Sequence, residues 1–188
     1  MFADVQSQVK ASSSFAERME RLLDRVEYRR METAVEIDAV LRLRYEAYLK
    51  EGAIEPSETQ RLPDAFDDTD HVYNLGIYID GELASALRLH GLFHAEQESP
   101  AMESFGEFLI PKLKAGKLIV DPNRFVANYQ LARLYPELPY VTLRPTYLAC
   151  VYFGFDLVTM TVFSQIQYAR QGRIRCSVSR SVCYLSIL

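Results

Sequence analysis

Arginines and aspartates standing in or beside apolar segments are the side chains of this sequence best suited to chemistry. Arg44 lies four residues before Tyr48 in a largely apolar stretch, and Arg88 lies inside an apolar run. A guanidinium among apolar neighbours is costly unless it is paired. Asp67 and Asp70, on a polar stretch, supply carboxylates for such pairs. The pattern predicts a buried ion-pair network. The alternative is that both arginines extend to the surface and that the aspartates lie on a solvated loop.

A second pair of opposite charges, Asp121 and Arg124, lies in a segment that favours a strand. Residues three apart in a regular strand face opposite sides of a sheet. A direct contact between the two therefore requires a bulge or bend near Pro122. Irregular strands often mark sites, but Asp-Pro-Asn is also ordinary turn chemistry, and the sequence leaves both readings open.

Other catalytic motifs are missing from the sequence. It contains no GxSxG, no phosphate-binding P-loop and no GxGxxG, and its histidines (His71, His90 and His94) have no metal-ligand spacing. No cysteine stands beside an evident base. The sequence therefore predicts no metal site and no covalent intermediate. Three cysteines at no metal-like spacing favour reduced thiols in a cytoplasmic protein.

Length and composition are those of one folded domain. The chain has 188 residues, of which 49% are hydrophobic and 24% charged, and its formal net charge is −4. That charge argues against broad binding to nucleic-acid phosphates. No segment approaches the ~20 apolar residues of a membrane span, and the charged start does not resemble a signal peptide.

Periodicity and turn residues predict a mixed α/β domain over 1–188. A helical arm is expected over 1–26. Asp80-Gly81 is the kind of dipeptide that turns a hairpin. The segment 164–188 has four arginines and no acidic residue, so its composition departs from the rest, and a hairpin or a terminal arm are both compatible with it. The further helices are expected over 34–50, 102–113 and 143–153, and the strands over 28–33, 71–79, 83–89, 117–126 and 156–163.

The segment between Arg124 and Val162 resembles a known family. Its sequence, RFVANYQLARLYPELPYVTLRPTYLACVYFGFDLVTMTV, is similar to the long-chain N-acyl amino acid synthases of the FeeM type, which are relatives of the acyl-homoserine lactone synthases. The resemblance implies the GNAT acyltransferase fold, a mixed sheet with flanking helices that splays open to admit a thioester arm. Weaker matches lie upstream: Arg44 with Tyr48, the DxxD pair Asp67 and Asp70, the hairpin residue Arg88, and an ExxRF strand in which Asp121 replaces Glu and Arg124 with Phe125 follows.

This resemblance implies transfer of a long-chain fatty acyl group from a carrier-protein thioester to the amine of an amino acid. A backbone amide between Arg124 and Val126, beside Phe125, is expected to bind the oxyanion. Asp121, or a water that it orders, is expected to accept the amine proton. The implied substrate-binding residues are Arg44, Tyr48, Asp67, Asp70 and Arg88, and Arg124, Arg88 or Arg44 is expected to bind the acceptor carboxylate.

The absence of one loop from the sequence indicates which acyl donor the protein uses. Most GNAT enzymes hold the CoA pyrophosphate with a glycine-rich loop, which is missing here. The sequence predicts instead a helix that begins near Leu143, is capped by Thr142 and is flanked by Arg133 and Arg144. Such a helix end suits the one phosphate of the phosphopantetheine arm of acyl carrier protein. Because the acylated carrier is the donor substrate, no permanently bound cofactor is expected. Lysines at 112, 114 and 117, beside the same arginines, are candidates for binding that acidic carrier.

The resemblance ends near Val162, because the residues from Phe163 onward do not match the family. Two other functions therefore stay open. One is a GNAT-like protein that binds acyl carrier protein or lipid without turnover. The other is an autoinducer synthase that uses S-adenosylmethionine, which is disfavoured because Ile54 stands where those enzymes usually carry Trp.

Overall fold

A computed structural model of the chain describes residues 14–162 and 181–186. The predicted features at 1–13, 163–180 and 187–188 lie outside the described residues. The described part forms a six-stranded sheet with helices on both faces. Its elements are α1 (Phe15–Leu23), β1 (Val26–Arg30), α2 (Ala34–Lys50), β2 (Val72–Ile79), β3 (Glu82–Leu92), α3 (Pro100–Lys114), β4 (Ile119–Ala127), α4 (Tyr129–Leu134), α5 (Leu138–Phe153), β5 (Leu157–Val162) and β6 (Ser181–Ser186).

The strands lie in chain order across the sheet, from β1 to β6. The first four pair antiparallel, β5 is parallel to β4, and β6 is antiparallel to β5. A parallel neighbour needs a crossover connection, which here contains α4 and α5. The predicted mixed sheet with one late crossover is confirmed. No helix within the described residues is long and apolar enough to cross a membrane.

The hairpin between β2 and β3 turns at the predicted dipeptide. Asp80 and Gly81 have φ values of 51° and 85°, the left-handed conformations that a two-residue hairpin loop requires. The strands that they join run from Val72 to Ile79 and from Glu82 to Leu92, so β3 extends further than predicted. The extension carries the buried side chain of His90 into the sheet.

Alternate residues of β3 divide the two faces of the sheet. Ala86 and Leu92 point toward α2 and α3, where each joins a separate apolar cluster. Leu87 and Leu89 point to the opposite face and join the large cluster beneath α5. Because successive strand residues face opposite sides, Arg88 must lie on the face that α2 and α3 cover.

The sheet opens between β4 and β5. These strands pair only at their first residues, Ile119 with Leu157 and Val120 with Val158. Beyond Val120, β4 continues to Ala127 without a partner on that side, while β5 continues along β6. The resulting cleft widens toward the carboxyl end of β4, as expected for a GNAT sheet.

The helix predicted over 143–153 begins earlier than the sequence indicated. It starts at Leu138, after Glu137, and a short additional helix, α4, precedes it. Leu138 and Val141 are fully buried, and covering them favours helix in the residues before Leu143. Pro145 therefore lies inside the helix, where its missing N–H frees a carbonyl. The Val141 carbonyl accepts a hydrogen bond from the Tyr28 hydroxyl at 3.1 Å.

Candidate active site

A buried polar cluster beneath α2 is centred on Arg88. The Arg88 side chain is fully buried, and its Nη1 donates to Oδ1 of Asp64 and Oδ1 of Asp67, both at 2.6 Å. Its Nε donates to Oδ1 of Asn123 at 2.7 Å. Each end of this guanidinium is thus held by a protein group. The predicted ion-pair network is present, and Arg88 is one of its members.

Arg44 enters the same cluster from α2. Its side chain is 1% exposed, and its Nη1 donates to both oxygens of Asp67 and to the carbonyl of Leu62. Burial disfavours the ionised form of Asp67, but the hydrogen bonds and charge of Arg44, the Asp64 amide and the charge of Arg88 together hold the pKa of this carboxyl below its usual value. Asp67 therefore remains a carboxylate that accepts hydrogen bonds from two buried arginines.

Asp64 is the second carboxylate of the cluster, and Asp70 is not part of it. The Asp64 oxygens accept hydrogen bonds from Arg88 and from Nε of Arg124, the latter at 2.7 Å. Asp70 is exposed. The predicted pairing of Asp67 with Asp70 is therefore corrected to Asp64 with Asp67, which has the same DxxD spacing one step earlier. Asp64 lies close to the cluster because Arg88 and Arg124 both attract it.

Arg124 lies at a bulge in β4 and is the most accessible arginine of the cluster. Ala86 pairs with Val126 and Arg88 with Asn123, so two residues of β4 oppose one residue of β3. Arg124 has a φ of 53°, an uncommon conformation for a residue other than glycine. Its side chain is 28% exposed, and its Nη1 donates to the Tyr48 hydroxyl at 3.2 Å.

His90 and Asn123 close the cluster on the sheet side. The Asn123 amide nitrogen donates to Nδ1 of His90 at 3.1 Å, and Nε2 of His90 lies 3.1 Å from the Phe66 carbonyl. This geometry fits a neutral ring that accepts at Nδ1 and donates at Nε2. Burial, followed by the positive charge of Arg88, lowers the pKa of His90 to about 4.

Asp121 lies where β4 and β5 part. It is fully buried. Its Oδ2 accepts from the Ala101 amide at 3.0 Å, and its Oδ1 accepts from the Thr159 hydroxyl at 2.9 Å. Burial raises the pKa of this carboxyl despite these hydrogen bonds. Asp121 and Arg124 do not pair: the bulge turns Arg124 toward Asp64, and Asp121 joins α3 to both strands.

Comparison with known proteins identifies the family. A model of the FeeM N-acyl amino acid synthase family matches residues 39–168, which is more than half of the chain. The chain belongs to the FeeM N-acyl amino acid synthase family. It is an acyltransferase with a GNAT-like fold, and its family supports N-acyl transfer as its reaction.

Solved structures agree on the fold. FeeM from uncultured soil microbes, described as an N-acyl amino acid synthase, superposes with a TM-score of 0.59 at 16% identity over 74% of this chain and 72% of that one. BjaI, described as a CoA-dependent acyl-homoserine lactone synthase, superposes in its complex with SAM and isopentyl-CoA with a TM-score of 0.51 at 16% identity, over 74% of this chain and 66% of that one. A search of curated proteins found no match.

The phosphate site predicted for this FeeM-family chain is not formed at Thr142. Thr142 lies inside α5, where its hydroxyl donates to the Leu138 carbonyl at 2.7 Å and contacts the Ser85 hydroxyl. Leu143 and Arg144 follow within the helix, so their amides do not lie at a free helix end. The first turn begins at Leu138, directly after Glu137, whose carboxylate pairs with Arg18 and disfavours an anion there.

The basic residues expected to act together are also separated. Arg144 lies over the ring of Tyr28, and Arg133 lies over the ring of Tyr129. The three lysines precede β4, whereas Arg133 follows it, and β4 spans roughly 26 Å at ~3.3 Å per residue. In the part of the chain that the structure describes, no group of three or more His, Cys, Asp or Glu residues is arranged to hold a metal ion.

Two members of the site were missed in the sequence. The sequence does not single out Asp64, because two overlapping DxxD spacings occur on one loop and the spacing by itself cannot choose between them. Asn123, within Asp-Pro-Asn, is compatible with ordinary turn chemistry. Its position between two buried polar strand residues, His90 and Arg88, depends on the register of β3 against β4. That register was not predictable before the bulge was located.

Proposed function

We propose that this FeeM-family acyltransferase moves a long-chain fatty acyl group from acyl carrier protein to the amine of an amino acid. The observation that carries the proposal is the open cleft between β4 and β5, which lies beside the bulge at Arg124 and Phe125. The cleft would admit the thioester arm, and the bulge would supply a hydrogen-bond donor at the reacting carbonyl. Both features belong to the same strand.

The unpaired edge of β4 suits a phosphopantetheine arm. From Asp121 to Ala127 this edge has no partner in β5. Backbone groups of an open strand edge can bind the amides of an extended ligand as a further strand would. The arm would enter at the wide end of the cleft, near Ala127, and run toward Val120.

The bulge supports binding of the oxyanion. Arg124 and Phe125 have no paired residue in β3, so this stretch contains backbone amides outside the regular ladder. An amide between Arg124 and Val126 would donate to the thioester oxygen as negative charge develops there. One such donor is typically worth about 3 to 4 kcal/mol of transition-state stabilisation.

Arg124 is the arginine of the cluster best placed to bind the acceptor carboxylate. Arg44 and Arg88 are buried and held by Asp64 and Asp67. The three arginines and two aspartates leave one positive charge in excess, and Arg124 is partly exposed. A single carboxylate from an amino acid would neutralise that charge, and Tyr48 would help to hold the guanidinium in place.

The environment of Asp121 constrains how the amine proton leaves. Asp121 is fully buried and both of its oxygens already accept hydrogen bonds from the protein, so an amine at the open side of the cleft would not contact it directly. We therefore assign Asp121 to positioning: it holds the closed end of the cleft and the start of α3. The proton would pass to water at the open side of the cleft.

The wide end of the cleft has its own basic surface for an acidic carrier. Tyr129, which directly follows β4 and Asn128, carries Lys50 over its ring at 3.6 Å and Arg133 at 5.7 Å. The lysines at 112, 114 and 117 lie at the opposite, closed end of β4. We place the carrier protein at Lys50 and Arg133, because its pantetheine arm must enter where the strands are apart.

The proposal is tested with the full-length chain, palmitoyl acyl carrier protein and a panel of amino acids, with products identified by mass spectrometry. An N-palmitoyl amino acid is expected, and palmitoyl-CoA should be a poorer donor. Carrier binding without product would favour a binding protein, and a lactone formed from S-adenosylmethionine would favour an autoinducer synthase. Either result would contradict the proposal.

The carrier surface is tested with a charge reversal and a matched control. Arg133→Glu should raise the KM for the acylated carrier at least tenfold. Lys112→Glu makes the same charge change at the closed end and should leave that KM within about twofold of wild type. Equal effects of the two substitutions on this KM would contradict binding of the carrier protein at the wide end of the cleft.

A further inference from the structure

The outer face of α5 is exposed and apolar. Side chains at helical spacing lie on the side of α5 that faces away from the sheet and form what we call the α5 stripe: Tyr140, Leu143, Tyr147, Leu148 and Val151. Tyr140 is 58% exposed, Tyr147 63% and Val151 66%. At its start the stripe meets α1, where the ring of Phe15 lies 4.9 Å from that of Tyr140.

The composition of α5 is that of a helix covered on both sides. Toward the sheet the helix buries Leu138, Val141 and Cys150, and among its 16 residues Arg144 is the only charged one. A surface helix of a globular protein is ordinarily polar on its outer face. The stripe lacks Lys, Asp and Glu, which are depleted at protein interfaces, and it contains Tyr, which is enriched there. The outer face of α5 therefore has the composition of an interface.

The exposed area suits an interface between protein subunits. An aromatic side chain presents roughly 150 to 250 Å², so the three exposed tyrosines of α5 (Tyr140, Tyr147 and Tyr152) leave about 300 to 500 Å² uncovered. The largest apolar patch of a typical monomer is itself roughly 300 to 600 Å². A stable dimer buries about 800 Å² on each subunit, which the tyrosines, the other residues of the stripe and a polar rim together supply.

The α5 stripe is self-complementary when two copies of α5 pack antiparallel about a twofold axis at Tyr147. Leu143 of one subunit then lies opposite Val151 of the other, because both are four residues from the axis. Arg144 is three residues from the axis, so at ~1.5 Å per residue its two copies lie roughly 9 Å apart along the helix direction. Each Arg144 guanidinium already lies over the ring of Tyr28 in its own subunit, at 5.7 Å. The two like charges therefore do not meet.

A lipid surface fits the α5 stripe less well than a second copy of the chain. Helices that bind at a membrane surface combine an apolar face with several lysines or arginines, which are attracted to anionic lipids. α5 has one arginine, and α1, beside the start of the stripe, has two glutamates and two arginines and so no net charge. Closed twofold dimers are, in addition, the commonest oligomers of soluble proteins.

We infer that the protein forms a twofold-symmetric homodimer through the α5 stripe, with Tyr147 on the symmetry axis. The opposite face of the sheet, which carries α2, α3 and the polar cluster around Arg88, lies outside this interface. Each subunit therefore keeps its own polar cluster clear of the second copy. The inference concerns a surface outside the candidate active site and does not depend on the acyl donor or acceptor.

Sedimentation velocity of the full-length chain tests for the dimer. Over about 1 to 100 µM, a species with twice the mass of one chain is expected, with a Kd below about 10 µM, as for specific interfaces of this size. Wild type that remains monomeric throughout this range would overturn the inference.

Tyr147→Lys tests the position of the interface. The substitution enters the dimer twice and places two ammonium groups beside the axis, so the Kd should rise at least about a hundredfold. Tyr147 is exposed in the single subunit and Lys favours a helix, so circular dichroism should show a folded variant.

Phe108→Lys is the matched control. It makes the same charge change at an exposed aromatic residue of α3, which covers the other face of the sheet, and it should leave the Kd of the dimer within about twofold of wild type. A dimer that Tyr147→Lys leaves intact, or that both substitutions weaken equally, would overturn the inference.

Cross-linking tests the twofold axis directly. Tyr147→Cys places a thiol beside its own copy across the axis, so oxidation with copper–phenanthroline should give a disulfide-linked dimer. Val35→Cys introduces a thiol on α2 at a position that is 80% exposed, and it should cross-link no more than wild type. Equal cross-linking of the two variants would contradict an axis at Tyr147.

Vesicle binding distinguishes a lipid surface from a second copy. Wild type should not co-sediment with vesicles of phosphatidylcholine and phosphatidylglycerol, because the dimer covers the α5 stripe. Binding of a monomeric wild-type protein to these vesicles, abolished by Tyr147→Lys, would assign the stripe to lipid and overturn the inference.

Discussion

Nη1 of Arg44 donates to both carboxylate oxygens of Asp67, at 2.8 and 3.1 Å, and so fixes the long polar loop before β2 against α2. The same carboxylate accepts from Arg88. Removal of one partner from a buried ion pair leaves the other charge uncompensated, which is more harmful than the absence of both. The loop and the sheet are therefore joined through this one carboxylate.

Arg44→Met should lower the free energy of unfolding by about 3 to 5 kcal/mol, because Asp67 loses a buried partner. The matched control is Arg42→Met on the same helix, which removes a cation from the exposed pair with Asp38 and should cost less than about 1 kcal/mol. Urea unfolding measures both. Similar losses of unfolding free energy in the two variants would show that the pair of Arg44 with Asp67 contributes no more to stability than an exposed pair.

Asp64→Asn and Asp70→Asn separate the two possible DxxD pairs. Asp64 is bonded to Arg88 and Arg124, so its neutralisation should cost about 1.5 to 3 kcal/mol, the range for hydrogen bonds to charged groups. Asp70 is exposed and its substitution should be nearly neutral. A larger effect at Asp70 than at Asp64 would restore the pairing that the sequence indicated.

Acid unfolding gives a second readout for Asp64. Burial opposes its ionisation, but Arg88, the Phe66 amide and the charge of Arg124 together hold the pKa of this carboxyl below its ordinary value of 3.8. A depressed carboxyl pKa supplies stability that is present above 3.8 and is lost as pH falls through the folded-state value. The loss of stability below pH 3.8 should therefore be shallower in Asp64→Asn than in wild type.

Arg124→Gln should weaken selection for the carboxylate of the acceptor. A charge-assisted hydrogen bond worth about 1.5 to 3 kcal/mol corresponds to a loss of roughly 10- to 150-fold in kcat/KM for an amino acid. The corresponding amine, which lacks the carboxylate, should be used equally by wild type and variant. An equal loss for both acceptors would mean that Arg124 acts on the thioester or on the fold instead.

Asp121→Asn distinguishes positioning from proton transfer. The amide of Asn places a donor where Asp121 accepts from Ala101 or Thr159, so the melting temperature should fall. If Asp121 only positions the cleft, kcat falls but the pH dependence of kcat/KM keeps its shape. Loss of the ionisation on the acidic side of that profile, with normal melting, would make Asp121 the proton acceptor.

Because of His90, the free energy of unfolding should fall as the pH is lowered from 6.5 to 4. Its pKa is lowered to about 4 in the folded protein, from an ordinary value of 6.5, so between these values the unfolded chain binds the additional proton. Stability should fall by roughly 3 kcal/mol over this interval at ~1.4 kcal/mol per pH unit.

Denaturant unfolding across this pH range measures the effect. His90→Asn should reduce the slope of stability against pH, and His94→Asn, which removes an exposed imidazole, should retain the wild-type slope. A wild-type slope in His90→Asn would show that the ring accepts its proton without unfolding.

Elements with strong local signals were predictable from the sequence. The helix from Ala34 to Lys50 has an apolar period and a capping Thr33, and both ends agree with the structure. The Asp80-Gly81 hairpin follows from backbone conformations that few other dipeptides adopt. The start of α5 was wrong because Pro145 imitates a first-turn proline, whereas burial of Leu138 and Val141 extends the helix backward.

The amino-acid sequence by itself determined the main helices and strands and singled out Arg44, Arg88 and Arg124 as charges that need partners, because periodicity and the cost of burying charge are local properties. The residues between Arg124 and Val162 indicated the family. Tertiary structure decided that Asp64 rather than Asp70 completes the cluster and that Asp121 is enclosed. These outcomes depend on strand register and on which surfaces meet, and residue spacing along the chain does not specify either.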